Sequence, residues 1–181
     1  ETWLAAKLSA IRASGVMPSL DIRVENDPVD FALDKIDMRI FYGHDLYGDF
    51  TVVPLFSDHL VAVASADFTA RHGFKIELIK DEHLIHTDWG RDFATSPNWN
   101  AVFAGKRVID RNAGLKVQAS SVAKSFAQQN FGVALIPERM VQDSLHAGRL
   151  VKLQMPAIPM KHDYLLAHSK RLGASRAVQA I

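Results

Sequence analysis

Between Gly114 and Val151 the chain alternates apolar and polar stretches with unusual regularity, as GLKVQASSVAKSFAQQNFGVALIPERMVQDSLHAGRLV. Residues 114–119 alternate well enough for a strand. Ser120 and Ser121 can cap a helix beginning near Val122, with Val122, Ala123, Phe126 and Ala127 on one face. Asn130 and Gly132 can end that helix. Val133 to Ile136 is all apolar, which suits a strand buried on both faces. Pro137 suits the first turn of another helix, Gly148 its stop, and Leu150 to Leu153 a further strand. Strand, helix, strand, helix, strand is an α/β unit with a right-handed parallel crossover as its default. Ligands of such sheets sit at the carboxyl ends of the strands, here near Gln118 to Ser121.

The same patterns recur upstream. Trp3, Leu4, Leu8 and Ile11 form an apolar stripe at helical spacing, with Thr2 able to cap it. LDIRV at 20–24 alternates as a strand. Asp27 before Pro28 predicts a short helix burying Val29, Ala32 and Leu33, and Ile36, Met38 and Ile40 predict the strand after it. Residues 43–49 read as a loop. Two apolar runs, 52–56 and 60–64, are separated by SDH. Short helices are predicted over 67–73 and near 76–84, a short strand over 84–86, and a helical turn at Trp99, Val102 and Phe103. Residues 155–160 read as a proline-punctuated loop, 163–167 as a strand, and Ala174 onward as a helix.

Composition narrows the function classes. The 181 residues suffice for one domain or two small lobes, and at 48 % apolar content a real core is expected. A net charge of +1 argues against a large nucleic-acid surface on this chain, and Lys170, Arg171 and Arg176 are too few to reverse that. With no cysteine, disulfides and thiolate chemistry are excluded; this fits a cytosolic protein, and many periplasmic ones also lack cysteine. No apolar run reaches transmembrane length, so no membrane partner is expected. Glu1 opens the chain inside an apparent helix without an initiator Met, which points to a piece of a longer protein.

The chemistry-bearing residues nominate binding rather than catalysis. Of the eight histidines only His83 and His86 lie close together; HLIHTD lacks the HExxH spacing, and a strand would set the two on opposite faces. His86 reads better as a polar residue lining a cleft than as a metal ligand, with an ordinary exposed or hydrogen-bonded histidine as the default. Asp34, Asp37, Asp45 and Asp49 match no calcium loop. There is no GxSxG elbow, and SVAK at 121–124 reads as a helix start rather than a nucleophile site. Walker A and GxGxxG glycine patterns are absent, so no cofactor is expected. The hydroxyls of Ser120 and Ser121, with the free N–H groups of a first helical turn, can hold a carboxylate or another anion. Tyr42 and His44 follow the strand at 36–41, where ligand-facing groups belong.

The ordered set of segments resembles the effector-binding domain of LysR-type transcriptional regulators. WLAAKLSAIRASGVMPSLDIRV resembles the family's first helix and second strand, and IDMRIFYG its "DlaIRyG" segment. VVPLFSDHLVAVAS resembles the strand entering the second lobe, with Ser57 and Asp58 where an acidic residue usually falls. DEHLIHTD, FGVALIPERMVQDSLHAGRLV and DYLLAH resemble three later segments, the second most closely. The resemblance implies an α/β fold of two Rossmann-like lobes joined by crossover strands, periplasmic-binding-protein-like (type 2), with an effector in the cleft. Lobe I would cover 1–64 and 167–181, and lobe II 65–166. Carried over by position, the effector contacts are Thr2, Tyr42, His44, His86, Gln118 and Ser120. The resemblance also implies a cytoplasmic, non-enzymatic regulator in which these domains dimerise and the full-length protein is a tetramer. It implies DNA contact only through an N-terminal winged helix-turn-helix absent from this chain, and admits RNA polymerase as a partner of the whole regulator. The family's opening strand is missing here as well. A solute-binding protein of a transport system shares the two-lobe architecture and is the main alternative. A small α/β enzyme would need converging groups with shifted pKa values, which the sequence does not nominate.

Overall fold

A computed structural model describes residues 2–13, 15, 19–24, 28–43, 46–90, 97–103 and 105–169. In chain order the elements are α1 (Thr2–Ala13), β1 (Met38–Tyr42), β2 (Thr51–Phe56), β3 (His59–Ala64), α2 (Ala66–His72), β4 (Leu84–Thr87), α3 (Trp99–Phe103), β5 (Leu115–Val117), α4 (Ser120–Gln128), β6 (Val133–Pro137), α5 (Gln142–His146), β7 (Val151–Lys152), β8 (Ile158–Pro159) and β9 (Tyr164–His168). The chain divides into two compact units, Glu1–Ser57 with His162–Ile181, and Asp58–Lys161. The helix expected from Ala174 lies outside the described residues.

In the first unit β9 lies between β1 and β2, antiparallel to both. One face buries Phe41 and Ala167 against Val29, Phe31 and Tyr47. On α1 the predicted stripe of Trp3, Leu4, Leu8 and Ile11 is half-buried while its neighbours are exposed. Trp3 meets Phe56 edge-on at 4.9 Å.

Two expectations fail in this unit. Residues 20–24 join no strand, and Ile22 and Val24 are exposed. Arg23 instead bonds the Asp21 carboxylate and the carbonyl of Asp34. Alternation makes a strand only where an edge is there to pair with it, and none among the described residues does so. The helix expected after Pro28 is a set of turns. The Asp30 carboxylate accepts the N–H groups of Ala32 and Leu33, and Lys35 takes a positive φ of 54°. Val29 and Phe31 are the buried pair and Leu33 is 81 % exposed. Phe31 stacks on Phe50 at 4.1 Å, and Val29 N–H donates to Tyr47 Oη, so the spacing follows this aromatic cluster rather than a helical face.

The second unit holds the larger sheet, ordered β5-β4-β6-β3-β7, with β8 also paired to β3. β4 runs parallel to β5 and β6, while β3 is antiparallel to β6. β6 is buried on both sides, as its all-apolar run predicts. Val133 and Leu135 pack with Phe68, Trp99 and Phe103, and Ala134 and Ile136 with Ala123 and Ala127 of α4. The two apolar runs flanking SDH belong to different sheets: β2 pairs with β9, and β3 with β6, β7 and β8. The division therefore falls at 57/58, before β3, and at 161/162, before β9.

Pro137 opens no helix. Its backbone is extended, it pairs with Leu60 as the last residue of β6, and a 3-10 turn at Glu138–Met140 intervenes before α5. The buried Asp58 carboxylate accepts the N–H groups of His59 and Arg139 and so fixes that turn. No helix among the described residues is long and apolar enough to cross a membrane.

Candidate functional site

The carboxyl ends of β4 and β5 lie side by side in the second unit. Thr87 pairs with Val117, and Asp88 N–H continues the ladder to Val117 O at 2.8 Å. Beyond them the chain turns sharply. The Asp88 carboxylate accepts Gly90 N–H at 3.0 Å, and Gly90 takes a φ of 93°. This turn carries the Trp89 indole across to α4, where its Nε1–H donates to Ser120 Oγ at 2.9 Å.

Ser120 is not the cap that the sequence suggests. Ala119, extended at φ −142° and ψ 142°, holds the N-cap position, which no side chain bonds. Ser120 is the first residue of the helix and is only 9 % exposed. Its hydroxyl accepts from Trp89 and donates to nothing among the described residues. The first bond back along the chain is Ala123 N–H to Ala119 O, which leaves the N–H groups of Ser120, Ser121 and Val122 without helical partners. Gln118, exposed, stands at the end of β5 beside them.

On the other face of β4, His86 is 6 % exposed and lines a recess with Trp89, Asn98, Trp99, Ile109 and Arg111. Within it Trp99 donates Nε1–H to Ile85 O at 2.9 Å. His86 Nε2 and Thr87 Oγ1 are buried without a hydrogen-bond partner among the described residues. Burial, assisted by Arg111 and Lys116, lowers the His86 pKa below its ordinary 6.5, so the ring is neutral at pH 7.

The remaining expected contacts lie in the first unit. Thr2 is the first residue of α1. Tyr42 ends β1, where its hydroxyl accepts His162 N–H at 3.3 Å and its ring meets His162 and Tyr164. His44 lies outside the described residues. The structure thus brings Gln118 and Ser120 together beyond the end of β5, while His86 stands within β4 and lines the recess on its other face. It adds Trp89, which sequence reasoning passed over. The available signal was a tryptophan after a buried strand, since a partly buried indole N–H needs an acceptor. Among the described residues, no group of three His, Asp or Glu side chains could hold a metal ion.

The model of the LysR substrate binding domain family matches residues 1–181. The glycine cleavage system transcriptional activator of Escherichia coli K12 is 28 % identical over 153 residues, covering 82 % of this chain and 48 % of that protein. The HTH-type transcriptional regulator DsdC of the same organism is 26 % identical over 157 residues, covering 83 % of this chain and 50 % of that protein. The chain thus spans about half the length of the curated relatives it matches. Among solved structures, the AmpR effector binding domain from Citrobacter freundii superposes with a TM-score of 0.75 at 22 % identity, covering 98 % of this chain and 86 % of that one. The effector domain of AmpR from Pseudomonas aeruginosa gives 0.74 at 21 %, covering 98 % and 84 %. At these identities the structural likeness speaks to the fold, the periplasmic-binding-protein-like α/β architecture.

Proposed function

Because this chain belongs to the LysR substrate binding domain family, we propose that it is the effector-sensing part of a transcriptional regulator, binding a small metabolite and thereby controlling transcription by the whole protein. Ser120 carries the reading: a nearly buried hydroxyl with a proton to donate, on the first turn of a helix, at the carboxyl end of a parallel strand. That corner favours an effector with an acidic group. Gln118 and His86 are the further contacts proposed on this unit, and Thr2, Tyr42 and His44 those on the other. Sensing needs no reaction; the effector has only to prefer one arrangement of the regulator by a few kcal/mol. The domain is proposed to work as a homodimer within a tetrameric, cytoplasmic regulator. That regulator would contact DNA through its helix-turn-helix and have RNA polymerase as a further partner.

The test is native mass spectrometry of the purified chain, titrated with small carboxylates and amino acids. One relative's name ties it to glycine cleavage, which puts small amino acids first on the panel. A dimer taking up one molecule per subunit is the expected result. Tight uptake by a monomer favours a transport-type solute-binding protein, and no uptake across the panel defeats the sensor reading. Ser120→Ala should weaken the interaction by about 1–3 kcal/mol.

A further inference from the structure

We propose that Trp89 is a positioning and specificity-determining residue that makes this corner select a carboxylate. The proposal rests on the sensor reading above and deepens it by naming the residue that sets the polarity of the site. A serine hydroxyl can donate one hydrogen bond and accept two. Here the indole N–H, which can only donate, occupies an acceptor position of Ser120 Oγ at 2.9 Å. The Ser120 proton is therefore turned away from the indole, and it meets no acceptor among the described residues although the side chain is nine-tenths buried. A buried donor without an acceptor is costly, which favours a ligand oxygen in that place. The N–H groups of Ser120, Ser121 and Val122, free of helical partners, add donors of the same sign at the positive end of α4. An incoming amide would have to turn its NH₂ away from all of these. A carboxylate presents acceptors only and satisfies several at once.

Trp89 is held to this task from behind. Asp88 N–H is tied to Val117 O, the Asp88 carboxylate to Gly90 N–H, and Gly90 adopts a φ of 93° that L side chains rarely take. The indole therefore reaches Ser120 from a braced turn.

The test uses the whole chain with acetate as probe and acetamide as its neutral, near-isosteric counterpart, at matched ionic strength. The chain has three tryptophans, so ¹H–¹⁵N spectra carry three indole signals. Trp89→Phe assigns the signal of interest by deleting it. Trp99, whose indole is bonded internally to Ile85 O, serves as a folding control that acetate should leave unmoved. Acetate is expected to shift the Trp89 indole and the amides of Ser121 and Val122 saturably, and acetamide to do so at least tenfold more weakly. Trp89→Phe should lower acetate affinity roughly tenfold, read at those amides, with little change for acetamide. Ser120→Ala should do the same, and the double variant should be no weaker than Ser120→Ala alone, because Trp89 acts through Ser120. Additive losses, equal loss for both probes, or a Trp89→Phe chain that binds acetate like the parent would overturn the assignment. Uptake of a panel metabolite with acetate leaving Trp89 unmoved would sink this inference and leave the sensor reading intact, whereas no uptake of anything sinks the sensor reading itself.

Discussion

A Cβ on Gly132 would stand 2.2 Å from the carbonyl oxygen of His83. Gly132 precedes β6 and His83 precedes β4, and the two strands pair in parallel from Leu84 and Val133 onward. On the opposite flank of β4, a Cβ on Gly114 would stand 2.1 Å from Leu84 O. Two glycines thus let both neighbours close on the start of β4, which carries His86. Gly132→Ala must push backbone against backbone, so a loss of about 3 kcal/mol or more is expected by urea denaturation. A loss below about 1 kcal/mol would show that the strands separate easily.

Trp99 is 3 % exposed and its Nε1–H donates to Ile85 O. Trp99→Phe leaves that carbonyl without its indole donor and a void beneath α3. A loss of about 2 kcal/mol is expected, with the solved structure of the variant showing a water or a shifted side chain at Ile85 O. An unchanged denaturation midpoint would mean that the bond contributes nothing net.

How far the fold was legible follows from where each signal lives. The all-apolar run 133–136, the short helix over 67–73 and the stripe on α1 are local patterns, and each element formed within a residue or so of where its residues predict. Residues 20–24 and 28–35 carry local patterns too, but their outcome depends on distant partners: an edge to pair with, and the aromatic cluster of Tyr47 and Phe50. Gly132 reads in the sequence as a helix stop, yet its closest constraint is the carbonyl of His83, in a distant part of the chain. The same holds at the site. Ser120 was nominated from its place after a strand, whereas its engagement by Trp89 spans 31 residues and leaves no periodic trace.

Asp58, 7 % exposed, accepts the N–H groups of His59 and Arg139 on its two carboxylate oxygens. Asp58→Asn keeps one acceptor and sets an NH₂ against the second N–H. The 3-10 turn at Glu138–Met140 should loosen, with a loss of about 1–2 kcal/mol and faster amide exchange at Arg139. Unchanged exchange at Arg139 would remove Asp58 from that role.

Acid should destabilise the second unit through His86. Burial lowers the His86 pKa in the fold below its ordinary 6.5, with Arg111 and Lys116 assisting. Below pH 6.5 the unfolded chain then binds a proton that the folded chain refuses, so stability rises with pH across that window. The His86 contribution is complete above pH 6.5 and is lost as pH falls toward the folded pKa. His72, exposed on α2, is lowered too, by slight desolvation and then by His83, Arg71 and Lys80; it acts with the same sign but weakly, because solvent screens it. Glu138 is held below its ordinary 4.5 by its hydrogen bond to Lys152, so its contribution is lost only under more acidic conditions, below pH 4.5. Urea midpoints measured between pH 7.5 and 5 should therefore fall. His86→Leu should flatten that fall. At pH 7.5 the variant should be at least as stable as the parent, because it removes a buried nitrogen that has no partner among the described residues. A slope equal to the parent's would show that the His86 pKa in the fold is not depressed.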